Sequence, residues 1–240
     1  MPFRLAVLAL LVSACTAPVS DDFYFTYDDR QLLCGLPLDD YLVPENWDRL
    51  SARIDDAIAQ DWVLNVYAHS PGVTISVATL ERAFAMFAAA HLPFTTYADL
   101  DPDAPPHAGV IFAFDDDGVE TWTAVRPLLE RYAARVTLFV TRYDLFTLEQ
   151  RAQLHVLAND GNVIEAHSMR HLEAAVYAAE HGAEAYLNDE VLPSFAALRA
   201  EGYTPESFAY PYGSRTPETD AVIEPYVRYL RTTPGSCDRD

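Results

Sequence analysis

From Trp62 onward the sequence alternates short, nearly all-apolar runs with longer stretches of helical period. Runs of this kind have no polar face, so they belong to strands buried on both sides, as in a parallel sheet covered by helices. The alternation itself supplies the crossovers that parallel strands require. The runs WVLNVYA, LPFTTY, GVIFAF, RVTLFV, NVIEA, SFAY and RYLRT predict about seven core strands arranged as a barrel. Helices are expected over SVATLERAFAMFAAA with Ser76 as N-cap, over ETWTAVRPLLERYA and TLEQRAQLHVLAND, through most of the stretch up to Glu201, and near PETDAVIEPY. An earlier helix should start at Pro44, a residue suited to a first turn, and run through ENWDRLSARIDDAIAQ. Ahead of it FYFTYDD and RQLLCGLPL read as extended chain, and the Pro- and Asp-rich DLDPDAPPH reads as a linker.

The chain opens MPFRLAVLALLVSACTAP. One Arg precedes a ten-residue apolar run, Leu5 to Ala14, which is too short to cross a bilayer but fits the core of a signal peptide. The run ends V-S-A-C and is similar to a bacterial lipoprotein signal, in which Cys15 would be lipidated and become the mature N-terminus. The expected organisation is a signal segment over residues 1–14, a lipid-anchored tether over 15–22 and one domain over 23–240, long enough for a substantial core. Such a protein would work in the cell envelope, in the periplasm or at the outer membrane and surface, touching the membrane only through its lipid. A monomer is expected. The net charge of -20 argues against nucleic acid as a partner, because phosphates would be repelled. Beyond Cys15 only Cys34 and Cys237 remain; in an oxidising compartment they can pair, or they can sit as two buried thiols.

Three constellations follow strand ends, where barrel active sites gather. FAFDDDG sets three acids directly after an apolar strand, an arrangement that needs a cation or a loop open to water. EAHSMRHL spaces His167 and His171 four apart, which on a helix would put two imidazoles on one face, suited to a transition metal. FAYPYGSR places Pro211, Tyr212 and Gly213 at a strand end, a sharp turn that exposes backbone N–H groups. His91, His107, His155 and His181 have no comparable setting.

In this order and at these spacings the motifs over residues 108–232 resemble the polysaccharide deacetylase family, carbohydrate esterase family 4, the NodB-homology domain. The resemblance implies a distorted (β/α)7 barrel, with Asp115 as catalytic base, Asp116, His167 and His171 as metal ligands, and the Tyr212 N–H as oxyanion donor. The implied metal is Zn2+, with Co2+, Ni2+ or Mn2+ as other occupants. Asp117 is an extra acid in this chain, and the Arg that normally holds the base in the family is Ala209 here. FAYPYG is similar to the branch acting on poly-N-acetylglucosamine-type exopolysaccharides, which also lacks that Arg.

The family's final motif, an apolar strand ending in His, is absent after RYLRTT, yet WVLNVYAHSPG earlier in the chain resembles it. This implies a circular permutation: residues 23–100 resemble the family's C-terminal part, 101–107 form a linker and 108–240 resemble its N-terminal part. Closed barrels bring their termini together, so such rearrangements are tolerated. His69 then becomes the general acid, with Asp39 or Asp40 from GLPLDDYL as a residue that could orient it. The implied activity is metal-dependent removal of acetyl groups from N-acetylhexosamine units of a cell-envelope or extracellular polysaccharide. An O-acetyl esterase acting on an acetylated glycan would use the same residues, and a non-catalytic glycan-binding lipoprotein would keep only the fold.

Overall fold

The computed structural model describes residues 22–41 and 47–237. The expected signal segment 1–14, Cys15 with its tether up to residue 21, and the helix start at Pro44 lie outside the described residues. The strands are β1 (Tyr24–Phe25), β2 (Leu32–Cys34), β3 (Leu36–Pro37), β4 (Val63–Ala68), β5 (Phe94–Thr95), β6 (Gly109–Asp116), β7 (Thr137–Val140), β8 (Val163–Ala166), β9 (Ser207–Ala209) and β10 (Tyr229–Thr232). The helices are α1 (Trp47–Gln60), α2 (Val77–Ala89), α3 (Val119–Ala124), α4 (Arg126–Arg131), α5 (Leu148–Asn159), α6 (Ala174–His181), α7 (Ala183–Tyr186), α8 (Leu192–Ala200) and α9 (Pro217–Ile223). None of the described helices is long and apolar enough to cross a membrane.

The parallel ladder runs β4, β6, β7, β8, β9, β10, β2. It closes because β2 and β3 are two halves of one bent strand. β2 pairs with β10 in the register Leu230 to Leu32 and Thr232 to Cys34, and after Gly35 the chain crosses over, so that β3 pairs with β4, Leu36 to Val66. A Cβ at Gly35 would lie 2.8 Å from the Tyr67 ring and 3.2 Å from the Arg231 side chain, so only glycine lets the strand pass there. The seventh barrel position is therefore filled by LLCGLP and not, as the apolar pattern predicts, by LPFTTY. From Ala113 onward β7 occupies that flank of β6, which leaves β5 only Val110 and Ile111 to pair with. The antiparallel β1 extends the sheet beyond β4.

Along each strand the side chains still alternate, and both directions are apolar. Leu64, Val66, Phe112, Phe114, Leu138 and Val140 point outward under a helical layer that includes Leu80, Phe84, Phe87, Trp122, Leu154 and Leu157. Val63, Tyr67, Ile111, Ala113, Phe139, Ala209 and Tyr229 fill the barrel. Continuing the inward register of β6 by two residues reaches Asp115, and continuing that of β10 reaches Arg231. Ser76 caps α2 by accepting the Thr79 N–H at 3.0 Å, and Thr147 caps α5 with a capping box shared with Gln150. The single helix expected over ETWTAVRPLLERYA is broken into α3 and α4, because Pro127 has no N–H for the preceding turn.

Cys34 and Cys237 form a disulfide, with Cα atoms 5.6 Å apart across 203 residues of sequence. The bond fastens the turn after β10 to β2, at the seam where the barrel closes. Replacing both cysteines by Ser should lower stability to unfolding by about 2–4 kcal/mol. Urea titration of the oxidised parent and the variant measures this, and equal midpoints would show that the bond adds nothing to the seam.

Candidate active site

The strands deliver their functional side chains at their C-terminal ends, into a cleft of about 490 Å3 lined by His69, Asp115, Asp116, His167, His171, Tyr212 and Arg231, among others. Asp115 and Asp116 are the last two residues of β6 and diverge: Asp115 is buried within the barrel, while Asp116 takes a left-handed backbone (φ 85°) that turns its carboxylate to the cleft. His167 directly follows β8, and its Nδ1 lies 2.8 Å from the Ala209 carbonyl oxygen. With Nδ1 engaged by that carbonyl, Nε2 is the atom that faces the cleft.

Asp116, His167 and His171 converge. The His171 Nε2 is 3.0 Å and the His167 Nε2 3.5 Å from the same Asp116 oxygen, and the three ligand atoms lie within 4.8 Å of one another. Although burial opposes its ionisation, the adjacent His167 and His171 imidazoles hold the Asp116 carboxyl well below the usual carboxylate range. One carboxylate and two imidazoles fit a divalent transition metal and leave coordination positions for water and substrate, as catalytic sites do.

The route to this geometry differs from the one the spacing suggests. His167 and His171 do not share a helical face. HSMRH is a loop, and Ser168 (φ 65°) and His171 (φ 64°) are both left-handed, which no α-helix allows. The Ser168 hydroxyl oxygen accepts the His171 N–H at 2.9 Å, and this turn swings His171 back over Asp116.

Asp115 is paired with Arg231, each about 1 % exposed. Arg231 on β10 is the direct register partner of Ala209 on β9. The guanidinium missing from position 209 is thus supplied one strand further along and reaches the same carboxylate. It also lies over the Tyr67 ring, 4.5 Å from the centroid. Sequence reasoning missed Arg231; the available signal was an arginine inside the apolar run RYLRT, since a strand arginine buried on both sides needs an anion.

His69 follows β4 and enters from the opposite side. Its Nδ1 is 2.6 Å from one oxygen of the buried Asp39, and its backbone N–H donates to the other at 3.1 Å. Burial disfavours the imidazolium, but the hydrogen bond that His69 donates to Asp39 and the charges of Asp115, Asp39 and Asp116 outweigh it and raise the His69 pKa to about 9. Asp40 plays a different part: it accepts the Ser76 N–H at 2.9 Å and does not touch His69. Asp117 pairs with Arg142 at 3.3 Å on the cleft rim.

Tyr212 occupies the centre of the Pro211–Gly213 turn, left-handed at φ 59°. The turn's own bonds run from the Gly213 N–H to the Tyr210 carbonyl and from the Ser214 N–H to the Pro211 carbonyl, so the Tyr212 N–H is not used within it. Its ring leans on His171, with centroids 4.7 Å apart. Elsewhere His107 bonds the Tyr27 hydroxyl at 2.8 Å, and His155 and His181 stand on the surface beside Glu201 and Glu180.

The sequence model of the polysaccharide deacetylase family matches residues 103–226, 124 of the 240 residues. The chain belongs to the polysaccharide deacetylase family, hydrolases that act on carbon–nitrogen amide bonds. Its fold is similar to a de-N-acetylase from Aggregatibacter actinomycetemcomitans, with a TM-score of 0.58 and 14% identity over 74% of this chain and 95% of that one. It is also similar to IcaB from Ammonifex degensii (TM-score 0.49, 17% identity, 85% of each chain). A further similarity is to the chitin deacetylase of the fungal pathogen Colletotrichum lindemuthianum (TM-score 0.42, 17% identity), covering 50% of this chain and about half, 53%, of that one. No curated protein shows significant sequence similarity to it.

His167→Ala should leave the circular dichroism spectrum and the fold intact. It should weaken Zn2+ binding by more than the roughly 100-fold that outer-shell changes cost. Titration against a chelating dye reads the affinity, and parent-like binding would remove His167 from the ligand set.

Proposed function

We propose that the protein is a metal-dependent de-N-acetylase acting on N-acetylhexosamine units of a cell-envelope or extracellular polysaccharide. The carrying observation is that a base, a metal-ligand triad and a carboxylate-backed imidazole converge from separate strand ends on one cleft. Asp116, His167 and His171 would hold the metal, which when bound would acidify water and polarise the acetyl carbonyl. Zinc suits this mixed nitrogen and oxygen donor set, and cobalt, nickel or manganese would also be held.

The chain's own groups supply the rest. Asp115, fixed by Arg231, accepts the proton of the attacking water. As the carbonyl carbon becomes tetrahedral, the Tyr212 N–H donates to the oxygen on which charge develops. His69, charged and oriented by Asp39, gives its proton to the amide nitrogen, so the C–N bond breaks to release an amine and acetate. An amine leaves poorly without that proton, whereas an alkoxide needs less help. The His69–Asp39 arm therefore favours the amide over the O-acetyl ester as substrate. The complete set of groups also speaks against a glycan-binding protein without activity.

The family match begins at residue 103, and β1 to β5 precede it. β4, carrying His69 at its end, pairs with β6, and β2 pairs with β10. This arrangement supports reading the chain as a circularly permuted member, with residues 101–107 joining the original ends. The opening segment supports export and lipid anchoring through Cys15 in the cell envelope.

Three outcomes are expected from acetate release on acetylated glycan oligomers. His69→Ala should lower amide hydrolysis by roughly 10²–10⁴-fold while leaving metal affinity unchanged. Because the raised His69 must be protonated to act, activity should fall as pH rises through about 9, and Asp39→Asn should move that fall to lower pH. Arg231→Ala should abolish most activity, and the double variant Arg231→Ala/Ala209→Arg should recover part of it, since the two positions are register partners. Parent-like deacetylation by the His69 variant would overturn the assigned acid.

A further inference from the structure

The loop that carries the second histidine is held in an unfavourable shape by a residue twenty positions away. Ser168 and His171 both adopt the left-handed backbone that non-glycine residues avoid. The hydrogen bonds that hold the loop can be named. The His167 N–H donates to the Val140 carbonyl at 3.0 Å and the Thr141 hydroxyl to the Ser168 carbonyl at 3.0 Å. Glu190 takes the next two: its carbonyl accepts the Met169 N–H at 2.9 Å, and one carboxylate oxygen accepts the Arg170 N–H at 2.8 Å. Its other oxygen pairs with the Arg170 guanidinium.

Glu190 is fully buried, although Arg170 is half exposed. It sits in Leu187–Val191, a stretch of π-helix between α7 and α8. The widening has a local cause, because Pro193 lacks an N–H and its ring would crowd the carbonyl one α-turn back. Isolated π-turns of this kind recur at functional sites. What the element presents to the loop between the two imidazoles is Glu190, through both its carbonyl and its carboxylate.

We propose that Glu190 is a positioning residue for the metal site, locking residues 168–171 in the left-handed turn that brings the His171 Nε2 to Asp116. The proposal rests on reading Asp116, His167 and His171 as metal ligands. It makes Glu190 a determinant of metal affinity without contact to metal or substrate.

The test is Zn2+ affinity of the full chain by competition with a chelating dye, together with the Co2+ absorption spectrum and the melting temperature of the metal-free protein. Glu190→Gln keeps the shape and an acceptor for the Arg170 N–H but loses the ion pair; Glu190→Ala loses all side-chain bonds. Outer-shell changes typically cost 10–100-fold in metal affinity, so about 10-fold is expected for Gln and about 100-fold for Ala, with an altered Co2+ spectrum in both. Glu201→Gln, which breaks the Arg151–Glu201 pair away from the cleft, serves as the control and should leave affinity unchanged. If the Glu190 variants melt earlier yet bind Zn2+ as the parent does, Glu190 is merely structural and the proposal fails. If the parent itself binds neither Zn2+ nor Co2+, the ligand reading fails and takes this proposal with it.

Discussion

A carboxylate and a guanidinium, both shut away from water at the mouth of the barrel, form the interaction on which the rest of the site depends. Burying either ion alone would cost several kcal/mol, so Asp115 and Arg231 are tolerable there only as a pair. Their pairing constrains much around them. Tyr67 must lie flat against the guanidinium, residue 35 must lack a side chain, and β9 must be small at position 209. In exchange the Asp115 carboxylate is held at one spot, and its neighbour Asp116 is free to turn the other way toward the histidines. Two adjacent acids on one strand thereby acquire different surroundings and different work.

Much of this was legible in the sequence because it is local. The apolar runs gave six of the seven barrel strands, and the acids and histidines that follow strand ends gave the cleft residues. What escaped was set by contacts between distant segments. LLCGLP reads as indifferent extended chain; only the neighbours β10 and β4, nearly 200 and about 30 residues away, make it the closing strand. LPFTTY has the composition of a core strand but finds its flank of β6 already taken. The histidine spacing suggested a helix, and the backbone reached the same convergence by a left-handed turn, because the bonds from Ser168 and Glu190 outweigh helical preference. Arg231 was visible as an anomaly, a charge in an apolar run, without a partner being readable from sequence alone.

The two sides of the cleft are also built differently. The His167–His171 side is a loop braced by the carbonyl of Ala209 on β9 behind His167 and by Glu190 beneath the turn. The His69 side is a single dyad: Asp39 grips both the ring and the backbone N–H of the same residue, so orientation comes from one carboxylate. The two sides are joined electrostatically, His69 and Asp116 each favouring the charged form of the other.

The seam of the barrel joins strands far apart in sequence, β2 and β10, with the disulfide just beyond. As the chain leaves the ribosome, β2 has no hydrogen-bonding partner at that edge until β10, nearly 200 residues further on, has been made. Closure is therefore a late event, dominated by contacts of very long sequence separation, and such topologies fold slowly. Until β10 joins β2, the edge at that seam stays open, and the barrel exists only as a sheet.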